Sequence, residues 1–316
     1  MTIEELKKYK NQFIKYLSNN KRSYYTINSY SYHLEKMLKC IEDKYGVEID
    51  IKVAILDYVD NISGSYKPTT INTMRSPIRG FLTYLKTRGY ILEDFGGNIE
   101  LLHEDSKTKE ILEPNEIQDI FNVLASELRD STGYNIYYKS RNLMLFTLLL
   151  YTGVRRNEAV KLKWSNIDFI NNTINIFGKG NKTRVIPLIS DLKQQLYSYR
   201  DTLEKMNEIG YNVKSDYIFR SEWRNKETKK KDRPMTGKNV EVIIKETCDK
   251  AGIDKSITPH SIRHTFASYG VKNNINLTTL SNILGHSNLS TTLNIYAHEI
   301  SMEEKKREME KIKYIL

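Results

Sequence analysis

A break in helical periodicity between residues 93 and 114 constrains this chain more than any other feature. On both sides of it, apolar residues recur at the three- and four-residue spacing of amphipathic helices. Inside it the pattern gives way to two adjacent glycines and a polar run, Glu104–Glu110, which is typical of a linker. We therefore expect two domains, residues 1–105 and 106–316.

Apolar spacing predicts four helices in the first domain. The last two have predicted bounds, Ile51–Ile62 and Thr69–Leu85, and Pro77 is a candidate position for a kink in the fourth. The first domain is therefore predicted to be a helical module.

The second domain is predicted to be mainly helical with one small β element. Pro114 suits the first turn of a helix, and the apolar helix Leu143–Tyr151 is expected to be buried on every side. β-branched residues flank the turn Gly178–Lys182, which predicts a β-hairpin in Asn172–Leu188. The predicted fold class is mainly α with a small β-hairpin or sheet (α+β).

Composition favours a polyanionic partner without identifying one. The chain carries 49 Lys and Arg against 39 Asp and Glu, a formal charge of +10. Its two cysteines, Cys40 and Cys248, are too far apart in sequence to suggest a zinc site or a disulfide framework. No apolar run approaches the roughly 20 residues that cross a bilayer. We expect a cytoplasmic protein without cofactor, metal or membrane partner.

Six side chains of the second domain are candidates for chemistry on a phosphodiester. Such chemistry needs a nucleophile, cations on the nonbridging oxygens and an acid for the leaving oxygen. The six candidate catalytic residues are Arg155, Lys179, His260, Arg263, His286 and Tyr296.

The two arginines suit the phosphate because a planar guanidinium can hold two oxygens at once. Arg263 follows His260 by three residues, so on a helix the two share one face. Arg155 follows a Thr152-Gly153 break at the end of the apolar helix, where a side chain can leave the core.

The other candidates supply proton transfer and the nucleophile. Lys179 lies in the hairpin turn, His286 can hydrogen-bond a phosphate oxygen or assist proton transfer, and Tyr296 can attack phosphorus. Taken singly, a turn lysine, a histidine or one of 22 tyrosines is more commonly solvated or structural. Their order and spacing favour one site, because four of the six histidines fall in Pro259–His298.

These segments resemble the motifs of the tyrosine recombinases, a family that includes phage integrases and Xer-type recombinases. The matches, in family order, are TGxR with its glutamate (Thr152, Gly153, Arg155, Glu158), GKGNK (Gly178–Lys182), HxxR (His260, Arg263), LGH (Leu284, Gly285, His286) and the nucleophile Tyr296. His286 and Tyr296 are ten residues apart, one more than in the simplest Xer-like pattern and similar to many phage and transposon integrases.

The resemblance implies catalytic roles for these six residues, a 3′-phosphotyrosine intermediate on Tyr296 and no metal. It implies a helical core-binding domain and a catalytic domain that grip double-stranded DNA at an inverted-repeat core site. A homo-tetramer on two sites, or a hetero-tetramer with a related recombinase, is also implied. The charged helix Met302–Leu316 would then dock on a neighbouring protomer; packing on its own domain is the alternative.

Basic residues of the first domain are candidates for DNA contacts, although each could equally occupy a solvated helix face. They are Lys21, Arg22, Lys67, Arg75 and Arg79.

The predicted function is site-specific recombination that integrates and excises a mobile element in the bacterial nucleoid. Xer-type resolution of chromosome or plasmid dimers is an alternative within the family. A type IB topoisomerase and a catalytically idle DNA-binding regulator are alternatives outside it.

Overall fold

Each of the chain's two units, Met1–Lys107 and Thr108–Leu316, has its own main hydrophobic core, and the described part of the second unit has two smaller clusters besides. The computed structural model describes residues 1–103, 110–178, 183–221 and 232–285. The predicted boundary at residues 105 and 106 lies outside the described residues.

Between residues 1 and 103, the described part of the first unit, the chain forms four helices and one short 3₁₀ turn. They are α1 (Ile3–Asn19), α2 (Tyr24–Tyr45), α3 (Ile51–Ser63), α4 (Pro68–Thr87) and the turn Gly96–Asn98. Side-chain oxygens of Thr2, Ser23 and Asp50 accept backbone N–H groups at the starts of the first three helices. The helical module is therefore confirmed, and α4 runs continuously through Pro77.

The described part of the second unit contains seven helices, one 3₁₀ turn and three short strands. These are α5 (Pro114–Arg129), α6 (Asn135–Thr152), α7 (Arg156–Lys161), the turn Trp164–Asn166, β1 (Ile167–Asp168), β2 (Thr173–Phe177), β3 (Thr183–Pro187), α8 (Ser190–Glu208), α9 (Gly237–Lys250), α10 (Pro259–Lys272) and α11 (Leu277–Leu284). The predicted class, mainly α with a small β element, is confirmed.

Helix α6 lies at the centre of the second core and contacts α5, α7, α8 and α10. Every residue from Met144 to Leu149 is buried, as expected for an apolar helix with neighbours on all sides. Near its end Tyr151 is 38% exposed, and Gly153 then stops the helix in a left-handed conformation. The chain therefore changes direction at Gly153, while the next residue, Val154, is still fully buried in the core.

The three strands form one antiparallel sheet in the order β1-β2-β3. Ile174 pairs with Ile186, and Ile176 pairs with Arg184. Because side chains alternate along a strand, Arg184 shares the inner face of β3 with the buried Ile186. The predicted hairpin is confirmed in its strands; residues 179–182 of its turn lie outside the described residues.

In the described ranges, no helix combines the length and the apolar character needed to cross a membrane.

Candidate active site

The start of α10 fixes the positions of His260 and Arg263. Pro259 occupies the first helical position, and the Thr258 hydroxyl accepts the Ser261 N–H at 3.1 Å. His260 is exposed in the first turn, whereas Arg263, three residues on, is only 4% exposed. The predicted helix is correct, and it carries the arginine into the interior.

Buried Arg263 joins the end of α6 to the end of α11. Its Nη1 donates to the Gly153 carbonyl at 2.7 Å, and its Nη2 donates to the Leu284 carbonyl at 2.8 Å. These two acceptors belong to the TGxR and LGH segments, so Arg263 brings three of the predicted motifs together.

Arg155 lies directly before α7 and is anchored by Glu158. The Arg155 N–H donates to Glu158 Oε2 at 2.8 Å, and Arg155 Nη1 donates to Glu158 Oε1 at 3.0 Å. Beyond this anchor, Nη2 reaches the Gly285 carbonyl at 2.9 Å. The side chain of Arg155 is still 44% exposed, so its guanidinium remains accessible to a ligand.

Three guanidinium groups converge on the last turn of α11. Besides Arg155 and Arg263, Arg184 of β3 donates from Nε to the Ile283 carbonyl at 2.7 Å. The carboxyl end of a helix carries unpaired carbonyls and a partial negative charge, which attracts cations. With Glu158 as the counter-ion, these groups keep an excess of positive charge, which suits a phosphate.

Glu158 is a buried carboxylate held between two arginines. Arg184 binds it with both terminal nitrogens, at 3.0 Å to Oε1 and 2.8 Å to Oε2. Burial raises the pKa of the Glu158 carboxyl, but hydrogen bonds from Arg184 and Arg155 outweigh burial and hold the pKa below its ordinary value of 4.5.

Replacing Glu158 by Gln is expected to lower the free energy of unfolding by about 3–5 kcal/mol at pH 7, because it breaks a buried ion pair. A carboxylate whose pKa is depressed by folding stabilises the fold above its unfolded-state pKa and loses that effect as pH falls through the folded-state pKa. Urea unfolding at pH 7, 5 and 3.5 checks this. The difference between wild type and Glu158→Gln should be constant from pH 7 to 5 and shrink below about pH 4.5; an unchanged difference at pH 3.5 would contradict it.

Gly153 permits the side chains of Phe266 and Leu284 to pack closely against the turn that precedes Arg155. It has a φ of +58°, and a Cβ added there would lie 2.5 Å from Phe266 Cδ1 and 2.9 Å from Leu284 Cδ2. Only glycine both adopts this left-handed φ without strain and leaves room for Phe266 and Leu284.

Gly153→Ala is expected to destabilise the protein by roughly 2–5 kcal/mol, from left-handed backbone strain and overpacking together. Gly252→Ala is the matched control, since its φ is +70° but nothing lies within 4 Å of the added Cβ. Chemical denaturation of both variants separates the free-energy cost of left-handed backbone strain from the cost of steric overlap with Phe266 and Leu284. Equal losses would show that the Phe266 contact costs nothing.

His260 is paired with a second histidine on its own helix. Its Nε2 lies 2.9 Å from Nε2 of His264, and the two rings meet edge to face. His264 is only 4% exposed. One ring nitrogen must donate and the other accept, so this contact couples the tautomer of His260 to that of His264.

Three predicted site residues, Lys179, His286 and Tyr296, lie outside the described residues. The described chain reaches Gly178 and Thr183 on either side of the lysine turn, and Gly285 directly before His286.

Sequence reasoning missed two residues of this cluster and undervalued a third. Arg184 and His264 were not predicted, and Glu158 was quoted only as part of a motif. A signal for Arg184 existed, because it alternates with Ile186 and Leu188 and so places a charge on the apolar face of a strand. No pattern of comparable clarity marks His264.

The basic residues predicted to bind DNA differ in accessibility. Lys21, Arg22 and Lys67 are exposed, and Arg79 is partly buried. Two tyrosines next to Arg22 were not predicted: Tyr24 is 72% and Tyr25 78% exposed.

Arg75 requires a correction. It is only 7% exposed, and its guanidinium donates to the Glu100 carbonyl and to the Ser63 hydroxyl. These contacts tie α4 to the end of α3 and to the segment that follows the turn Gly96–Asn98. Arg75 therefore supports the interior of the first unit and is not available to DNA in this conformation.

Both units have relatives among known sequences. Residues 110–302 match the Phage integrase family, and residues 11–89 match the N-terminal SAM-like domain of phage integrases. Tyrosine recombinase XerD of Staphylococcus haemolyticus is 28% identical over 306 residues, which cover 94% of this chain and 93% of that protein. Tyrosine recombinase XerC of Bacillus pumilus is 28% identical over 292 residues, 90% of each.

Solved structures share the fold at lower identity. The Tn1549 transposon integrase in complex with transposon right end DNA has a TM-score of 0.67 at 20% identity, over 99% of both chains. XerH bound to difH in a pre-cleavage complex has a TM-score of 0.66 at 21% identity, over 90% of this chain and 79% of that one. Since the family match spans more than half of the sequence, the chain belongs to the phage integrase family and is a tyrosine site-specific recombinase.

Proposed function

We propose that this recombinase cuts and rejoins DNA at an inverted-repeat core site through a 3′-phosphotyrosine on Tyr296. One observation carries the proposal: Arg155 and Arg263 meet at the Leu284 carbonyl, two residues before His286. Arginines from two motifs far apart in sequence thus lie beside the third motif. The half-exposed guanidinium of Arg155 suits a nonbridging oxygen of the scissile phosphate. The proposed role of Arg263 requires one of its two carbonyl contacts to be exchanged for a phosphate oxygen when DNA binds.

The proposed cleavage forms one bond and breaks one. The Tyr296 oxygen loses its proton and bonds to phosphorus, while the bond from phosphorus to the bridging 5′ oxygen breaks. That oxygen leaves with the bond's electron pair and takes a proton from Lys179, giving a free 5′ hydroxyl. His260 and His286 are positioned by the motif to accept the tyrosine proton or to hydrogen-bond the phosphate.

Rejoining reverses these steps with the 5′ hydroxyl of a partner strand. The energy of the original bond is kept in the phosphotyrosine link, so the exchange needs no external energy source. Arg155 and Arg263 would stabilise the charge that develops on phosphorus oxygens in both directions.

The first unit is proposed to hold the duplex through its exposed basic residues Lys21, Arg22 and Lys67, and through the partly buried Arg79. Lys21 and Arg22 precede α2, and Lys67 precedes α4, so the cations gather at helix starts. Such positions suit phosphates, which fix the register of a protein on DNA without reading its sequence.

The biological role that we propose is integration and excision of a mobile element. The ten-residue separation of His286 and Tyr296, similar to many phage and transposon integrases, supports this role. Dimer resolution is a second candidate, because relatives named XerC and XerD align with 90% or more of the chain. Either role would use a tetramer on two core sites, and the mass of the complex on two-site DNA tests that assembly.

The test is sequencing of DNA that is covalently attached to the protein in cells. Convergence on one core flanked by element ends supports the mobile-element role. A single chromosomal core, together with unresolved chromosome dimers in a deletion strain, would replace it with dimer resolution. Dispersed attachment would indicate a topoisomerase, and no attachment would indicate a DNA-binding regulator.

A further inference from the structure

Arg184 makes three hydrogen bonds that tie strand β3, and with it the hairpin of β2 and β3, to the rest of the site. Its Nη1 and Nη2 bind the two oxygens of Glu158, at 3.0 and 2.8 Å, and its Nε donates to the Ile283 carbonyl at 2.7 Å. Its side chain is only 13% exposed. Every guanidinium nitrogen is therefore engaged inside the protein.

Glu158 links Arg184 to Arg155, because its carboxylate accepts hydrogen bonds from both residues. The same two carboxylate oxygens accept from the Arg155 backbone at 2.8 Å and from its Nη1 at 3.0 Å. A buried carboxylate in which each oxygen accepts from both Arg155 and Arg184 has one favourable orientation. Without Arg184 it would be free to turn toward Arg155 and draw that side chain inward.

The hydrogen bond from Arg184 Nε to the Ile283 carbonyl supports the end of α11. A Cβ built on Gly285 would lie 2.9 Å from Arg184 Nη1 and 3.0 Å from its Cδ, and Gly285 has a φ of +67°. The arginine thus packs directly against the turn that also offers a carbonyl to Arg155. Two of the three acceptors of the Arg155 guanidinium, the Glu158 carboxylate and the Gly285 carbonyl, belong to residues that Arg184 contacts directly, and the third, the Leu284 carbonyl, lies between Ile283 and Gly285.

We propose that Arg184 is a positioning residue for DNA cleavage, which holds Arg155 in the direction of the scissile phosphate through Glu158 and the end of α11. The inference rests on the proposed function, because it assigns Arg155 to that phosphate. Arg184 does not touch DNA in this account. Lysine cannot replace it fully, because one ammonium cannot reach three acceptors in a single plane.

Single-turnover cleavage separates positioning from binding. The substrate is a duplex carrying the core recovered from cells, once with a normal scissile phosphate and once with sulfur in place of the bridging 5′ oxygen. A thiol has a pKa of about 8.5, so sulfur leaves without the proton that an oxygen needs. The sulfur substrate therefore reports on phosphate stabilisation and not on leaving-group protonation.

Arg184→Gln is expected to cleave both substrates roughly 10–100-fold more slowly at saturating protein, with a DNA Kd within about threefold of wild type. Arg184→Lys should recover only part of the rate. Arg220→Gln is the matched control, because Arg220 also donates to backbone carbonyls, those of Asn212 and Lys214, away from this cluster. It should cleave at the wild-type rate.

A double-mutant cycle with Glu158→Gln tests the route. Because the contact of Arg184 with the end of α11 persists without Glu158, Arg184→Gln should still slow cleavage in the Glu158→Gln background, but by a smaller factor than in wild type. An undiminished factor would overturn the route through Glu158. If thermal melting shows that Arg184→Gln is unfolded, the cleavage rate of Arg184→Lys decides whether Arg184 has the positioning role.

Failure of the inference differs from failure of the proposed function. If wild type cleaves neither substrate, the proposed function is wrong. If wild type cleaves and both Arg184 variants match it, the positioning role is wrong. A deficit confined to the oxygen substrate would also overturn the role, because it would assign Arg184 to leaving-group protonation instead of Arg155.

Discussion

Tyr296→Phe is expected to abolish covalent attachment of the protein to DNA while leaving the DNA Kd within about threefold of wild type. The substitution removes one hydroxyl, the proposed nucleophile, and no other group in the chain is placed by the motifs to replace it. The measurement is adduct formation on the core duplex under denaturing conditions, alongside a binding titration.

Tyr269→Phe is the matched control for Tyr296→Phe. The Tyr269 hydroxyl is buried and has no hydrogen-bond partner among the described residues, so its loss should change neither binding nor cleavage. Adduct formation by Tyr296→Phe at the wild-type rate would assign the nucleophile elsewhere.

Arg155→Gln is expected to slow strand cleavage by 100–1000-fold, about 3–4 kcal/mol, the usual loss when one preorganised donor to a transition-state oxygen is removed. Its guanidinium is the more accessible of the two that meet at Leu284, at 44% side-chain exposure. The loss should appear in the cleavage rate at saturating protein and much less in the Kd.

The neighbouring Arg156 provides the control for Arg155→Gln. Arg156 pairs with Glu241 on α9, and within the described ranges its guanidinium makes no hydrogen bond to the α11 turn. Arg156→Gln should therefore cleave within about threefold of wild type, since half-exposed ion pairs contribute little. Equal deficits in the two variants would mean that general charge, and not a directed contact, drives cleavage.

Local chemistry made much of the fold predictable. Alternating β-branched residues predicted the strands of the hairpin, and Pro114 predicted the first turn of α5, because helix starts and strand periodicity depend on a few neighbouring residues. The order of the motifs likewise points to Arg155, His260 and Arg263 from the sequence alone.

Contacts between distant residues were not predictable in the same way. Arg75 looked like a basic residue on a helix surface, but its partners Ser63 and Glu100 are 12 and 25 residues away, and they bury it. Arg184 depends on Glu158 and Ile283, which lie 26 and 99 residues away. No periodicity encodes such pairings, since tertiary packing alone decides them.

The most direct test of the account is mass spectrometry of the protein–DNA adduct after protease and nuclease digestion. The account predicts a nucleotide joined through its 3′ phosphate to the peptide that contains Tyr296, and DNA ends with free 5′ hydroxyls. A nucleotide on any other residue, or a link through a 5′ phosphate, would contradict the central claim.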